Sequence, residues 1–189
     1  MSEADRLKWD ARYSTGDYVY GAQPAPLLVE QRALLPDGGR ALDIACGEGR
    51  NAVYLAKQGF EVDAIDISAV GLRKARELAE GNGVEIRVGL HDLEQGSLPE
   101  GPFDVVLCIH YKQRDLVDAI SEALAPGGVL VVEIATVDNL ELHKHPSRRF
   151  LVARNELLAW FPTLRPLHYR EGVFHGSHVA QLIAQKPSG

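Results

Sequence analysis

Gly47 and Gly49 end an apolar run, Ala41-Leu-Asp-Ile-Ala-Cys-Gly-Glu-Gly-Arg-Asn51, and stand one residue apart. Glycines in such a turn admit positive φ and keep Cβ atoms away from a ligand lying along the backbone. A helix beginning just after them points unpaired N–H groups and partial positive charge at that ligand. Asp66 follows Gly49 by 17 residues and ends the next apolar run, Val62 to Ile65. A carboxylate there can accept hydrogen bonds from a ribose diol. The chemistry these residues suit is the binding of a nucleoside-bearing cofactor. Gly47-x-Gly49-x-x-Ala52 also satisfies the relaxed dinucleotide fingerprint, so the glycines alone leave a nicotinamide or flavin ligand open. Asp43 bears on that choice. It would face the pyrophosphate of a dinucleotide, whereas it suits S-adenosylmethionine, which lacks phosphate and carries a sulfonium and an ammonium. The plain alternative is an ordinary tight strand-to-helix turn.

A second group of chemistry-bearing residues precedes this turn. Trp9 and Tyr13 are four apart on a predicted helix, Ala4 to Tyr13, and share a face, with Arg12 on an adjacent one. A polar loop follows and carries Tyr18 and Tyr20. Two roles are open to this segment: an N-terminal helix that packs its Trp on the sheet, or a lid whose Trp9, Arg12, Tyr13 and Tyr20 line a reaction pocket. Of the histidines, His143-Lys-His145 and His175-Gly-Ser-His178 bring no third ligand at evident spacing, so no metal site is expected. Cys46 and Cys108 lie in apolar runs. They read as reduced, buried thiols of a cytoplasmic protein, with no activating partner for nucleophilic catalysis.

The elements that must position these residues alternate. Strands are predicted at Ala41–Ala45, Glu61–Ile65, Val84–Val88, Phe103–Ile109 and Val129–Ile134. Helices are predicted at Ala52–Lys57, Ala69–Glu80 and Tyr111–Leu124, with Ser68 as an N-cap. Before them Leu27–Leu35 reads as a helix, and beyond them so does Asn155–Phe161. Pro126-Gly-Gly128 reads as a turn and 138–149 as a loop over the strand ends. The last two strands, Leu167–Tyr169 and His178–Ala184, have no helix between them, so they form an antiparallel hairpin. The predicted fold is a three-layer α/β/α sandwich, doubly wound around a mostly parallel seven-stranded sheet. At 189 residues it makes one domain, with 1–40 as a helical lid segment and 41–189 as the core. A net charge of −6 gives no support to broad nucleic-acid binding. No signal-peptide pattern follows Met1, and no stretch reaches the ~20 apolar residues that span a bilayer. Oligomeric state is left open.

These residues together resemble a class I S-adenosylmethionine-dependent methyltransferase. The likeness is carried by Leu42-Asp-Ile-Ala-Cys-Gly47-Glu-Gly49-Arg-Asn51, Ala64-Ile-Asp66-Ile-Ser68, His91-Asp92-Leu93, Phe103-Asp-Val-Val106 and Leu124-Ala-Pro-Gly-Gly128. Trp9-Asp-Ala-Arg-Tyr13 and Tyr20-Gly21 resemble the opening of the small single-domain enzymes related to tellurite-resistance methyltransferases and, more distantly, thiopurine methyltransferases. The resemblance implies a Rossmann-like fold and S-adenosyl-L-methionine as cofactor. Asp43, Ala45, Gly47, Gly49 and Asn51 would border its methionine portion, with Gly49 letting the backbone approach, and Arg12 would reach its carboxylate. Asp66 would hold the ribose and Ile67 would pack on the adenine. Asp92 would accept from the adenine amino group, with His91 and Leu93 beside it, and Ile109 and His110 would sit near the transferring methyl. Trp9, Tyr13 and Tyr20 would contact a small-molecule methyl acceptor. One departure is Cys108-Ile-His-Tyr111, where amino-directed relatives carry Asn/Asp-Pro-Pro-aromatic, which argues against methylation of adenine N6 or a glutamine amide.

Methyl transfer from a sulfonium is an in-line displacement that requires orientation more than covalent help. Where the acceptor arrives protonated, His110 is the candidate base, although it could equally cap the strand end. Tyr111 and Arg114 are expected to face the same pocket, with Arg114 favouring an anionic acceptor. Two other classes compete: an NAD(P)-dependent oxidoreductase using the same turn, and a cofactor-binding protein without catalysis.

Overall fold

The computed structural model describes residues 3–188, so the readings placed on Met1, Ser2 and Gly189 lie outside the described residues. Seven strands form one sheet: β1 (Gly39–Ile44), β2 (Phe60–Asp66), β3 (Arg87–Leu90), β4 (Phe103–Ile109), β5 (Leu124–Ala135), β6 (Arg165–Phe174) and β7 (Ser177–Gln185). Their order is β3-β2-β1-β4-β5-β7-β6. The first five are parallel, and β7 pairs antiparallel with both β5 and β6. The expected terminal hairpin is therefore present, with β7 inserted beside β5. Six α-helices accompany the strands: α1 (Glu3–Tyr13), α2 (Pro26–Glu30), α3 (Arg50–Lys57), α4 (Ala69–Gly81), α5 (Val117–Ala123) and α6 (Glu156–Trp160).

The core divides on the two faces of the sheet, which is why the central strands read as nearly unbroken apolar runs. On one face Leu27, Leu28, Ala52, Leu55 and Leu72, from α2, α3 and α4, pack on Ala41, Val105, Leu107 and Val131. On the other, Leu116, Ile120, Leu157 and Trp160, in and next to α5 and α6, pack on Leu42, Ile44, Val106 and Val132. Three layers result. Because Leu27 and Leu28 are fully buried, the second half of the 1–40 segment belongs to the core; only α1 and the loop after it lie over the strand ends.

Several boundaries depart from the sequence reading. Helix α2 stops at Glu30 and gives way to a 3-10 turn at Arg32–Leu34. Strand β3 begins at Arg87 because Val84 and Ile86 pack under α4, and its pairing runs on to Gly89 and Leu90. No helix starts at Tyr111: after a 3-10 turn at Arg114–Leu116, α5 begins at Val117, and Leu124 already pairs with Phe103. Pro126-Gly-Gly128 does turn the chain, with Gly127 at φ +79, but as an irregularity inside β5. Strand β6 extends far beyond Leu167–Tyr169, since an edge strand carrying Arg165, His168, Arg170 and Glu171 shows little apolar signal.

Gly49 opens α3 at φ +83, and a Cβ built there would lie 2.6 Å from the Ala75 Cβ on α4. Gly49 therefore lets two helices meet, a different role from the backbone-to-cofactor approach expected of it. Gly49→Ala should combine left-handed strain with overpacking and destabilise the fold by ~2–4 kcal/mol. Urea unfolding should show a lowered midpoint at unchanged slope; an unshifted midpoint would mean that α4 yields freely.

Candidate active site

The ends of β1, β2 and β4 open into a cleft lined by Trp9, Tyr13, Tyr20, Cys46, Gly47, Glu48, Asp66, Ile67, Ile109, His110 and Tyr111, among others. It holds about 690 Å³ of free space, mouth included, within the range of small-molecule sites. A shallower depression lies beside it, bordered by Leu90, His91, Asp92 and Gln95. Ile67 lines both. The two depressions thus adjoin at Ile67, with the glycine turn lining the first and Asp92 the second.

The floor of the cleft is held by Asp66. One of its oxygens accepts the Gly47 N–H at 2.8 Å and the other accepts the Ser68 N–H at 2.8 Å. Burial pushes its pKa up, and the amides of Ser68, Gly47 and Ile67 pull it back. Each oxygen keeps a lone pair, so the carboxylate is fixed in orientation and still able to accept. Ser68 caps α4 as expected, receiving the Gly71 N–H at 3.0 Å. Its own hydroxyl donates to Asp10 of α1 at 2.6 Å, which fastens α1 beside the cleft.

The backbone at the site is left-handed at Ala45 (φ 55), Gly47 (φ 56) and His110 (φ 61). At Gly47 the missing Cβ makes room for Tyr13, whose hydroxyl would lie 2.8 Å from it. Burial first, and then the charge of Asp66, pushes the Tyr13 pKa up, so the hydroxyl stays protonated and able to donate. The Trp9 and Tyr13 rings are stacked, with centroids 5.4 Å apart. Arg12 lies outside the cleft lining, its guanidinium 5.6 Å from the Trp9 ring and 5.5 Å from the Tyr20 ring. The Arg50 guanidinium sits 5.9 Å from the Tyr20 ring centroid and donates to the Tyr20 carbonyl at 2.9 Å.

The loop after α1 is anchored by a buried ion pair that the sequence reading did not identify. Lys74 Nζ lies 2.5 Å from Glu48 Oε1, both side chains being almost wholly buried. The same ammonium donates to the carbonyls of Tyr13, Thr15 and Asp17, and Glu48 Oε2 accepts the Val19 N–H at 2.7 Å. No sequence signal sets Lys74 apart from the charges beside it, Arg73, Arg76 and Glu77.

The predicted residues separate into those the structure brings together and those it does not. Ala45, Gly47, Asn51, Asp66, Ile67, Ile109, His110 and Tyr111 line the cleft with Trp9, Tyr13 and Tyr20. Arg114 does not: it is 69% exposed and pairs with Glu156 at 3.7 Å. Its displacement follows from the missing helix start, because the chain after His110 runs extended while the Gln113 amide holds the Leu93 carbonyl at 2.8 Å. The Leu93 side chain faces the core rather than the cleft. Asp43 is buried behind the glycine turn. It accepts the Ala52 N–H, and its Oδ2 has no hydrogen-bond partner. His143, His175 and His178 are engaged with the Gly176 carbonyl, Glu30 and Thr136 respectively.

Residues 41–128 match the family model described as "Methyltransferase domain". The ubiquinone biosynthesis O-methyltransferase of Caulobacter sp. (strain K31) is 36% identical over 103 residues, covering 51% of this chain and 40% of that protein. The chain spans less than half the length of the curated relatives it matches, 46%, 34% and 40% of three of them. Among solved structures, TehB from Haemophilus influenzae shares the fold with a TM-score of 0.73 at 21% identity, covering 96% of this chain and 66% of that one. An S-adenosylmethionine-dependent methyltransferase from Clostridium acetobutylicum ATCC 824 gives 0.68 at 16% identity, covering 97% of each chain. Residues 41–128 therefore resemble a methyltransferase domain, and the fold as a whole is one that solved S-adenosylmethionine-dependent methyltransferases share.

The residues present fit that cofactor. An acid with an unpartnered oxygen lies behind the turn, a second acid, Asp66, lines the cleft, and a third, Asp92, borders the neighbouring depression. Burial raises the Asp43 pKa from 3.8 to about 7, against the pull of the Ala52 amide and Arg50. A raised pKa in the fold contributes stability that is complete below the unfolded value and lost as pH rises through the folded one. Without cofactor, wild-type stability should therefore fall relative to Asp43→Asn between about pH 4 and pH 7, by at most ~4 kcal/mol at ~1.4 kcal/mol per pH unit. Denaturant unfolding of both proteins across that range reads it, and a constant difference would mean that Asp43 is ionised throughout.

Proposed function

We propose that this protein transfers a methyl group from S-adenosylmethionine to a small-molecule acceptor. The observation that carries the reading is the pair of depressions adjoining at Ile67, with the glycine turn and Asp66 lining one and Asp92 the other. The bound cofactor supplies an electrophilic methyl on sulfur. Asp66, held by two backbone amides, receives the ribose hydroxyls on its remaining lone pairs. Ile67 gives the adenine an apolar wall, and Asp92 faces its amino group. The Tyr13 hydroxyl and Arg12 are donors for the amino-acid carboxylate, while Ala45 and Gly47 let the chain pass close to it. Ile109 and His110 then stand at the reacting end, where Trp9, Tyr20 and Tyr111 enclose the acceptor and exclude water. Positioning of this kind is worth roughly 7–11 kcal/mol of barrier. The Caulobacter relative is named for transfer to oxygen; an acceptor arriving as O–H needs a proton acceptor, and His110 is placed to be one.

Thermal unfolding with added ligand tests the reading. S-adenosylhomocysteine at about 100 times its Kd should stabilise the protein by ~2.7 kcal/mol, and NAD(H) should not. Stabilisation by NAD(H) alone would replace this proposal with the oxidoreductase one, and tight S-adenosylhomocysteine binding without turnover on a broad acceptor panel would leave a binding protein. Asp66→Ala should weaken S-adenosylhomocysteine binding by ~1.5–3 kcal/mol in calorimetry. Undiminished affinity would move the ribose contact elsewhere.

A further inference from the structure

Glu133 is a buried acid near the carboxyl end of β5, and the cofactor site as described makes no use of it. Its Oε1 lies 3.5 Å from His110 Nε2, and its backbone carbonyl accepts the His110 N–H at 2.7 Å. His110 is thus hydrogen-bonded to residue 133 through the main chain and lies within ion-pair distance of its side chain. Its left-handed backbone at the end of β4 turns the ring toward that partner. The other oxygen, Oε2, is held by the Gln181 amide from β7. Gln181 in turn accepts from Arg170 Nε at 2.5 Å, and Arg170 donates to Glu30 at 2.6 Å. Residues 133 and 181 are register partners across β5 and β7, as are 181 and 170 across β7 and β6. A file of polar groups therefore crosses the sheet from the cleft to the surface.

A carboxylate in such a place is costly unless each oxygen meets a donor. Gln181 serves one oxygen. For the other, the donor facing it among the described residues is His110 Nε2, and only when that nitrogen carries a proton. His110 Nδ1 has no hydrogen-bond partner among the described residues, and the ring lines the cleft.

We propose that Glu133 is a positioning residue: it keeps a proton on His110 Nε2 and so leaves Nδ1 as the proton acceptor for methyl transfer to an acceptor that arrives as O–H. This rests on the methyltransferase reading. In the step, an acceptor oxygen lone pair forms the new bond to carbon. The sulfur–methyl bond breaks with its electron pair remaining on sulfur, and the hydroxyl proton passes to Nδ1. The imidazolium so formed lies against the Glu133 carboxylate. Burial lowers the His110 pKa, Glu133 opposes that and Arg50 adds to it. The other titratable groups around the ring are Tyr20, with centroids 6.5 Å apart, and the adjacent Tyr111. Burial pushes the Tyr111 pKa up, so that hydroxyl stays protonated.

Glu133→Gln keeps the shape and removes the charge, and Glu133→Asp keeps the charge at shorter reach. Nitrogen NMR of the His110 ring, followed through a pH titration of the full chain with and without S-adenosylhomocysteine, reads both tautomer and pKa. In the wild type the neutral ring should be protonated at Nε2. In Glu133→Gln the His110 pKa should fall by about one pH unit or more and the tautomer preference should be lost, with Glu133→Asp between the two. S-adenosylhomocysteine affinity should stay within about twofold, because Glu133 does not reach the cofactor cleft. An unmoved His110 titration in both variants would overturn the proposal while leaving the cofactor reading intact. Failure of the wild type to bind S-adenosylhomocysteine would overturn the cofactor reading, and with it this catalytic use of the pair.

Discussion

One buried carboxylate joins the parts of this site that must agree in position. Asp66 ends β2, takes an amide from the glycine turn after β1 and another from the cap of α4. Two strand-to-helix connections, separate in sequence, are thereby locked at one point, and that point is the floor of the cleft. The bonds are charge-assisted and lie in a low-dielectric setting, where such bonds are strong and the loss of one partner is expensive. The carboxylate that orients the turn is also the group offered to a ligand. Fold and site share an atom, so neither can change alone.

The sheet order explains why the cleft is where it is. Strand β1 lies between β2 and β4, and its two neighbours are reached by connections running in opposite directions. Such a switch point leaves a crevice beyond the carboxyl ends of the strands. The polar loop and α1 then cover the crevice from above. What distinguishes this chain is how the cover is attached: Asp10 on the cap of α4, and the Lys74–Glu48 pair under the loop.

Much of this was legible in the residues. The glycine turn, Asp66, the aromatic pair on α1 and the terminal hairpin all have local signatures of spacing and composition. What escaped did so for physical reasons. Gly49 carries the same signature whether its missing Cβ admits a ligand or another helix, and only tertiary packing against Ala75 separates the two. The stretch from Tyr111 to Gln113 has helical periodicity, yet a side-chain bond to the Leu93 carbonyl holds it extended. Strand β6 hid because an edge carries charge. Glu133 was visible as a lone charge within the apolar run Val129–Ile134, a pattern that marks a buried partner without saying which, whereas Lys74 stands among Arg73, Arg76 and Glu77 and reads as one more exposed charge, although it is buried.

The loop beneath α1 is gripped through its main chain. Lys74 takes the carbonyls of residues 13, 15 and 17, and Glu48 takes the amide of residue 19. Every residue type except proline offers the same carbonyl and the same amide, so the identities of Thr15, Asp17 and Val19 are free to drift without releasing the cover. The sequence of the loop over the crevice can therefore change while the clasp beneath it stays in place, because the clasp reads only the path of the backbone.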